Sequence, residues 1–345
     1  MEFLIFFIFN TFTISMSANI KIIPKLCKAG DPFISDHREP TIHGVLSALV
    51  KTNKKCLSNY SLLKVKRNRG IFDLEICYDE VSLKTIYVKF EIDGISLKQF
   101  VTVIIPPVAT RSINLYPENI PCFYTKDHQA ALFGYIYKDE DTINDSTFLT
   151  EGYLASNADF SEDYKQLGTF FYANITPQWK FINQQVWALI ESAIRFYAMD
   201  NDKKLEAYAG THGQTLVDGQ PLFLTVDGRL PVATWLWKAV VDQSTGAGIA
   251  FICSNNPSES LMASPPCGDL DICLESHWGD AMVAGWSFCC TLQQLVETVP
   301  EAAAAIVDGA GAKLLNRLTP APPPTSPDSS TTTNDGDDDE AEADD

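Results

Sequence analysis

Asn183, Trp187, Glu191 and Arg195 recur every four residues within QWKFINQQVWALIESAIRFYAM, a run with no Gly or Pro until Gly210. Such a run reads as a long helix. A step of four residues turns a helix about 40° past a full turn, so the polar groups form a slowly drifting stripe along one side. An amide oxygen, a carboxylate and a guanidinium so arranged suit a hydrated magnesium ion and a phosphate. Magnesium takes oxygen ligands, keeps several of its waters, and can be held by one or two side chains. Arginine grips phosphate oxygens through two parallel N–H bonds. By spacing alone, the same stripe also reads as a solvated face carrying a Glu191–Arg195 pair.

The words around the stripe separate these readings. YLASNADF comes before it, ANITPQ opens it, and PVATWLWKAV, FICSNNP and a late CC follow. In that order, from about Gly70 to about Cys290, the chain resembles the DNA/RNA non-specific endonucleases, the sugar-nonspecific nucleases of the ββα-metal (His-Me finger) fold. Within them it is most similar to the secreted arthropod branch, in which an N-terminal extension precedes the nuclease domain. The resemblance implies that Asn183 binds magnesium, that Glu191 orients metal-bound water and that Arg195 contacts the phosphate or leaving group.

The family's other half-site is a DRGH motif whose histidine activates the attacking water. The matching residues here are Thr150, Glu151, Gly152 and Tyr153, so only the glycine is kept. A general base must be unprotonated near neutral pH, which histidine (pKa about 6.5) satisfies and tyrosine (about 10) does not. A positioned base contributes about 10² to 10⁴-fold to rate. Glu151 also puts a carboxylate where the family has an arginine, the wrong sign beside a phosphate. The expectation is a secreted pseudo-endonuclease that binds nucleic acid or another polyanion. The alternatives are a magnesium-dependent endonuclease with residual hydrolysis and an interaction scaffold that meets no nucleic acid. His128, His212 and His277 are the candidates for a substitute base, while His37 and His43 lie outside the nuclease region.

Elements must position these groups. Between Ile71 and Val103, FDLEICYD, LKTIYVKFEID and LKQFVTVI alternate apolar and polar residues, which predicts strands with a turn at Asp93-Gly94. Further strands are expected at LEAYAG, PLFLTV and AGIAFIC, a buried run at LPVATWLWKAVVD, a helix at KDHQAALFGYIY, and short helices at LQQLVETVPEAAAAIV. With no regular βαβ alternation the class is α+β: a central antiparallel sheet flanked by helices, carrying a ββα-metal finger and preceded by a small β-rich N-terminal extension. The expected organisation is a signal peptide over 1–18, the extension over 19–69, an endonuclease-like domain over 70–318 and a disordered acidic tail over 319–345.

Composition agrees with a secreted chain. The apolar run Phe3 to Phe9, followed by small residues to Ala18, is too short to span a bilayer and suits a cleaved leader. Nine cysteines fit an oxidising compartment, and the odd number leaves one unpaired, available in principle for a disulfide-linked dimer. The net charge is −18, and half of it sits in the last 25 residues, which carry nine acidic groups and no basic one. That Pro/Ser/Thr/Asp-rich segment has no apolar periodicity. Lys51, Lys54, Lys55, Lys64, Lys66, Arg67 and Arg69 form the opposite extreme, a basic stripe with no acidic residue inside it. With Arg195, the group Lys64, Lys66, Arg67 and Arg69 is the expected nucleic-acid contact.

Overall fold

A computed structural model describes residues 48–57, 60–67, 70–99, 120–139, 141–258, 264–268, 270–306 and 313–317. The expected leader, most of the extension, Arg69 and the acidic tail lie outside these residues. The chain opens with four strands: β1 (Ala48–Cys56), β2 (Tyr60–Arg67), β3 (Gly70–Asp79) and β4 (Lys84–Asp93). A short helix, α1 (Gly94–Gln99), follows at once. The Asp93-Gly94 step is therefore no hairpin turn. Asp93 Oδ1 accepts from the Ile95 and Ser96 amides, and a Cβ at Gly94 would collide with the Ala198 carbonyl. The segment Leu97–Gln99, read as strand, is thus helical.

Helix α2 (Lys126–Leu132) is capped by Thr125, whose hydroxyl accepts from the His128 amide. The ribbon β5 (Leu149–Tyr153) and β6 (Ile175–Trp179) comes next. The long helix starts later than its sequence predicts, because Gln178 and Trp179 belong to β6. It runs as a π-helical stretch over Ile182–Trp187 and then as α3 (Ala188–Asp200). After it come β7 (Lys204–His212), the two-residue ribbon β8 (Leu216–Val217) and β9 (Gln220–Pro221), β10 (Trp235–Asp242), β11 (Gly248–Ser254) and β12 (Ser287–Cys290). Most of PLFLTV, expected as a strand, is irregular. Helices α4 (Leu292–Thr298) and α5 (Pro300–Ala305) close the described chain.

Eight strands form one sheet in the order β1-β2-β3-β4-β7-β10-β11-β12, every neighbouring pair antiparallel. The expected α+β class, an antiparallel sheet flanked by helices, is what the chain adopts. Residue 70 is no structural border, however. Strand β2 pairs with β3 from Arg67↔Gly70 to Ser61↔Tyr78, so the end of the extension completes the sheet.

Period-two alternation sends side chains to two separate cores. On β10, Trp235, Trp237 and Ala239 face α4 and α5, while Leu236 and Val240 face the β5–β6 ribbon and α3. Disulfides Cys56–Cys77, Cys267–Cys290 and Cys273–Cys289 fasten the sheet edges, and Cys122 is also disulfide-bonded. The free cysteine among the described residues is Cys253, wholly buried on β11. Burial pushes its thiol pKa far up, so it offers no thiolate and no access for the intermolecular disulfide that the odd count allowed.

Candidate active site

The family-like words of the sequence each have a structural task. Asn174, fully buried, donates to Ala155 O (2.9 Å) and Thr169 O (2.7 Å) and accepts from the Ala155 amide (3.0 Å). It ties YLAS to NITPQ and is closed to glycosylation. Asn255 of FICSNNP donates to Pro177 O and Ala233 O, each at 3.0 Å, and accepts from the Trp179 amide, docking the ribbon onto the sheet. Gly152 lies against the buried Gln178 side chain, where any Cβ would collide. This accounts for its survival in a motif whose neighbours have changed.

The structure does bring the two half-sites together. Asn183 Nδ2 donates to Thr150 Oγ1 (2.9 Å) and to Glu151 O (3.4 Å), and Trp187 Nε1 donates to Tyr153 O (3.3 Å). The helix therefore grips the altered motif through the Thr150 hydroxyl and the Glu151 and Tyr153 carbonyls.

One turn further, the expected metal-water and phosphate groups are engaged with residues the sequence reading missed. Lys238 on β10 is completely buried. Its Nζ lies 3.2 Å from Asp159 Oδ2 and 3.5 Å from Glu191 Oε1, between the rings of Phe90 (5.3 Å) and Trp187 (5.8 Å). Arg195 completes a quartet: its Nη1 donates to Asp159 Oδ1 at 2.9 Å, and its other Nη donates to Ser192 Oγ at 3.2 Å. Burial drives the Glu191 pKa upward, and Asp159 adds to that, while Lys238 and Arg195 act against it. Burial alone would lower Arg195, but the Asp159 and Glu191 carboxylates hold it above its ordinary value. The signal for Lys238 was present in WLWKAVV. A single charge in an otherwise apolar, buried strand needs a partner.

The changed motif is closed as well as changed. The Tyr153 hydroxyl is buried without a hydrogen-bond partner, its ring packs edge-on against Phe170 at 5.7 Å, and burial followed by the Glu151 charge pushes its pKa far up. Glu151 accepts from Tyr172 Oη at 2.7 Å, and burial raises its pKa against that bond. The candidate substitute bases have other tasks. His128 is buried, with Nε2 2.8 Å from Leu224 O. His212 Nδ1 meets Glu301 Oε2 at 2.9 Å on the sheet face that packs α5. His277 is exposed in a left-handed turn.

A divalent cation finds little here. Asn183 spends its N–H groups on the ribbon, leaving Oδ1 as a single neutral ligand. Glu191, which would orient the ion's waters, is held by Lys238 with Arg195 beside it. Among the described residues, no group of three His, Cys, Asp or Glu side chains gathers to hold a metal. A hydrated magnesium ion needs only one or two side chains, and of the expected pair Asn183 keeps Oδ1 free while Glu191 is engaged by Lys238, a weak fit.

The described lysine side chains of the basic stripe are not brought to the site. Leu63 and Val65 of β2 enter the core beneath the ribbon, so Lys64 between them belongs to the opposite sheet face, away from Arg195. Lys64 pairs with Glu75, Glu75 lies opposite Lys89, and Lys89 pairs with Glu206 in a ladder of alternating charge. Lys51 pairs with Glu80. Lys54 and Lys55 are exposed on the edge strand β1. Lys66 and Arg67 are on β2 with side chains outside the described set.

The chain is 28% identical over 244 residues to the salivary protein Tsal1 of Glossina morsitans morsitans, covering 65% of this chain and 59% of that one. It is 28% identical over 160 residues to a salivary endonuclease of Lutzomyia longipalpis, covering 44% and 38%. The chain thus spans between about two fifths and three fifths of the length of these curated relatives. Among solved structures, EndoG in its complex with EndoGI matches with a TM-score of 0.38 at 14% identity, covering 62% of this chain and 83% of that one. Residues 67–295, about two thirds of the sequence, match the DNA/RNA non-specific endonucleases, and the chain belongs to that family.

Proposed function

We propose that this is a secreted nuclease-family protein in which phosphodiester hydrolysis is impaired and binding remains. The observation that carries the reading is Tyr153. The position from which a family member draws its base holds a phenol whose hydroxyl is buried and unpartnered and whose raised pKa keeps it protonated at neutral pH, so it cannot take a proton from water. Glu151 beside it, the quartet around Lys238 and the poor fit to a divalent ion point the same way. Secretion is supported by the salivary origin named for the relatives, by the leader-like start and by the disulfides. No helix among the described residues is long and apolar enough to cross a membrane.

Binding of nucleic acid or another polyanion is assigned to the edge strand β1, where Lys54 and Lys55 are exposed, rather than to the ancestral cleft. The ion-pair ladder that absorbs Lys64 favours a second reading, an interaction scaffold with no nucleic acid involved. Digestion of plasmid and RNA with magnesium tests the first part. Turnover matching an intact family member, and abolished by Asn183→Ala, overturns it. A gel shift at low salt separates polyanion binder from scaffold.

A further inference from the structure

Beside the finger lies a hollow of about 430 Å³ that the preceding reading leaves unused. Its wall includes Thr147, Trp179, Lys180, Phe181, Gln184 and Gln185. Along the chain it neighbours the half-sites: Gln184 follows Asn183 on the helix, and Trp179 pairs with Leu149, one residue before Thr150.

The chemistry of this wall is specific. It has aromatic rings, two carboxamides, hydroxyls and one ammonium, and no carboxylate. The nearest carboxylate along the chain, that of Asp145 next to Ser146, is paired with Lys126 and also feels the Lys180 ammonium. Lys180 is held in place: its Nζ donates to Asp145 O at 3.0 Å and lies 5.3 Å from the Phe148 ring. Phe181 is braced edge-on against Trp286 at 5.2 Å. Gln184 and Gln185 are exposed, on rigid helical backbone. Trp179 is only 3% exposed, yet its Nε1–H meets no acceptor in the protein. A buried N–H left so is destabilising unless an acceptor is supplied from elsewhere.

A carboxamide offers a donor and an acceptor at the spacing that base edges present, aromatic rings accept stacked bases, and an ammonium at the rim suits the attached phosphate. The volume is in the range of small-ligand sites, about 300–1,000 Å³. We infer that this hollow is a nucleobase subsite, taking one unpaired base of a nucleotide or single strand, with Gln184 and Gln185 reading its edge and Lys180 facing its phosphate. The inference goes beyond the proposed polyanion contact on β1 and is independent of whether the chain cleaves.

The test uses the full chain labelled with ¹⁵N at tryptophan, titrated with uncharged nucleosides (adenosine, guanosine, cytidine, uridine) and separately with polyphosphate. The expected result is a saturable shift of the Trp179 indole N–H resonance by at least one nucleoside. That affinity should weaken by tenfold or more in a Gln184→Ala/Gln185→Ala variant, while Gln293→Ala/Glu297→Ala on α4 leaves it unchanged. Both pairs are exposed, so folding is preserved, and the remaining indole signals verify it. No shift of Trp179 at millimolar nucleoside, or an equal affinity in the glutamine variant, overturns the subsite. Polyphosphate binding without nucleoside binding overturns the subsite alone and leaves the polyanion reading standing. Nucleoside binding without polyphosphate binding keeps the subsite and removes that reading.

Discussion

Lys238 Nζ lies 3.5 Å from Glu191 Oε1 and 3.2 Å from Asp159 Oδ2, with none of its side chain exposed. One ammonium therefore serves two carboxylates, and with Arg195 the four charges balance inside the protein. Removing one partner of a buried ion cluster leaves the others uncompensated, which costs about 3–5 kcal/mol. Lys238→Met is expected to destabilise by that order in urea unfolding. Adding Glu191→Gln to it should recover part of the loss, giving a coupling energy in a double-mutant cycle. Strict additivity of the two changes would show that the pair contributes nothing.

Cleavage should be slower than that of an intact family member by about 10² or more, the contribution of a placed base. Tyr153→His alone should restore little, because Glu151 still sets a carboxylate beside the phosphate and the quartet still engages Glu191 and Arg195. Glu151→Arg with Tyr153→His is the combination expected to raise activity. Supercoiled-plasmid nicking, followed over time for the three proteins, ranks them directly. A single Tyr153→His variant as active as the double would refute the role given to Glu151.

The pH dependence follows from Glu151. Burial raises its folded pKa above the ordinary value of 4.5, so folding favours the protonated acid. Its stabilising contribution is fully present below pH 4.5 and is lost as pH rises through the raised folded pKa. Glu151→Gln keeps the acceptor for Tyr172 and removes the charge. It should therefore raise Tm at pH 7 and make no difference at pH 4. Thermal melts at the two pH values check the sign, and a variant less stable than wild type at pH 7 reverses it.

Divalent ions should leave the fold untouched. A ligand that binds only the native state stabilises it in proportion to its occupancy. With Glu191 held by Lys238, millimolar magnesium or manganese is expected to shift Tm no more than the same ionic strength of sodium. A specific rise with manganese, lost in Asn183→Ala, would establish a centre the residue arrangement argues against.

If the edge strand β1 binds nucleic acid, affinity for duplex DNA should fall with salt at a log–log slope of about −0.9 per phosphate contact. Lys54→Ser/Lys55→Ser is expected to flatten that slope and weaken all sequences alike. Fluorescence anisotropy over a salt series measures it. An unchanged slope would move the contact elsewhere or, with no binding at all, leave the scaffold.

Much of this was legible in residue types and their order. The words YLASNADF, ANITPQ and FICSNNP identified the finger because Asn174 and Asn255 are buried polar groups with fixed partners, and such positions tolerate few substitutes. The replacement at Tyr153 was visible as a change of residue type alone, since proton affinity is first a property of the side chain. Period-two alternation made β3 and β4 readable, and LEAYAG and AGIAFIC were expected as the strands that β7 and β11 contain. The boundary of the long helix was not, because Gln178 and Trp179 have no local reason to be strand. They become strand by pairing with Leu149 and Thr150 across a separation the sequence does not display.

Tertiary structure alone decided what the polar groups do. Glu191 and Arg195 look like a free stripe at helical spacing, and only the packing of β10 against α3 puts Lys238 between them and Asp159. Lys64 looks like part of a basic surface, and only the pairing of β2, β3 and β4 sets Glu75 against it and places it on the far side of the sheet from Arg195. Charge belongs to a residue, but its availability depends on which neighbours the fold supplies and how much water it leaves.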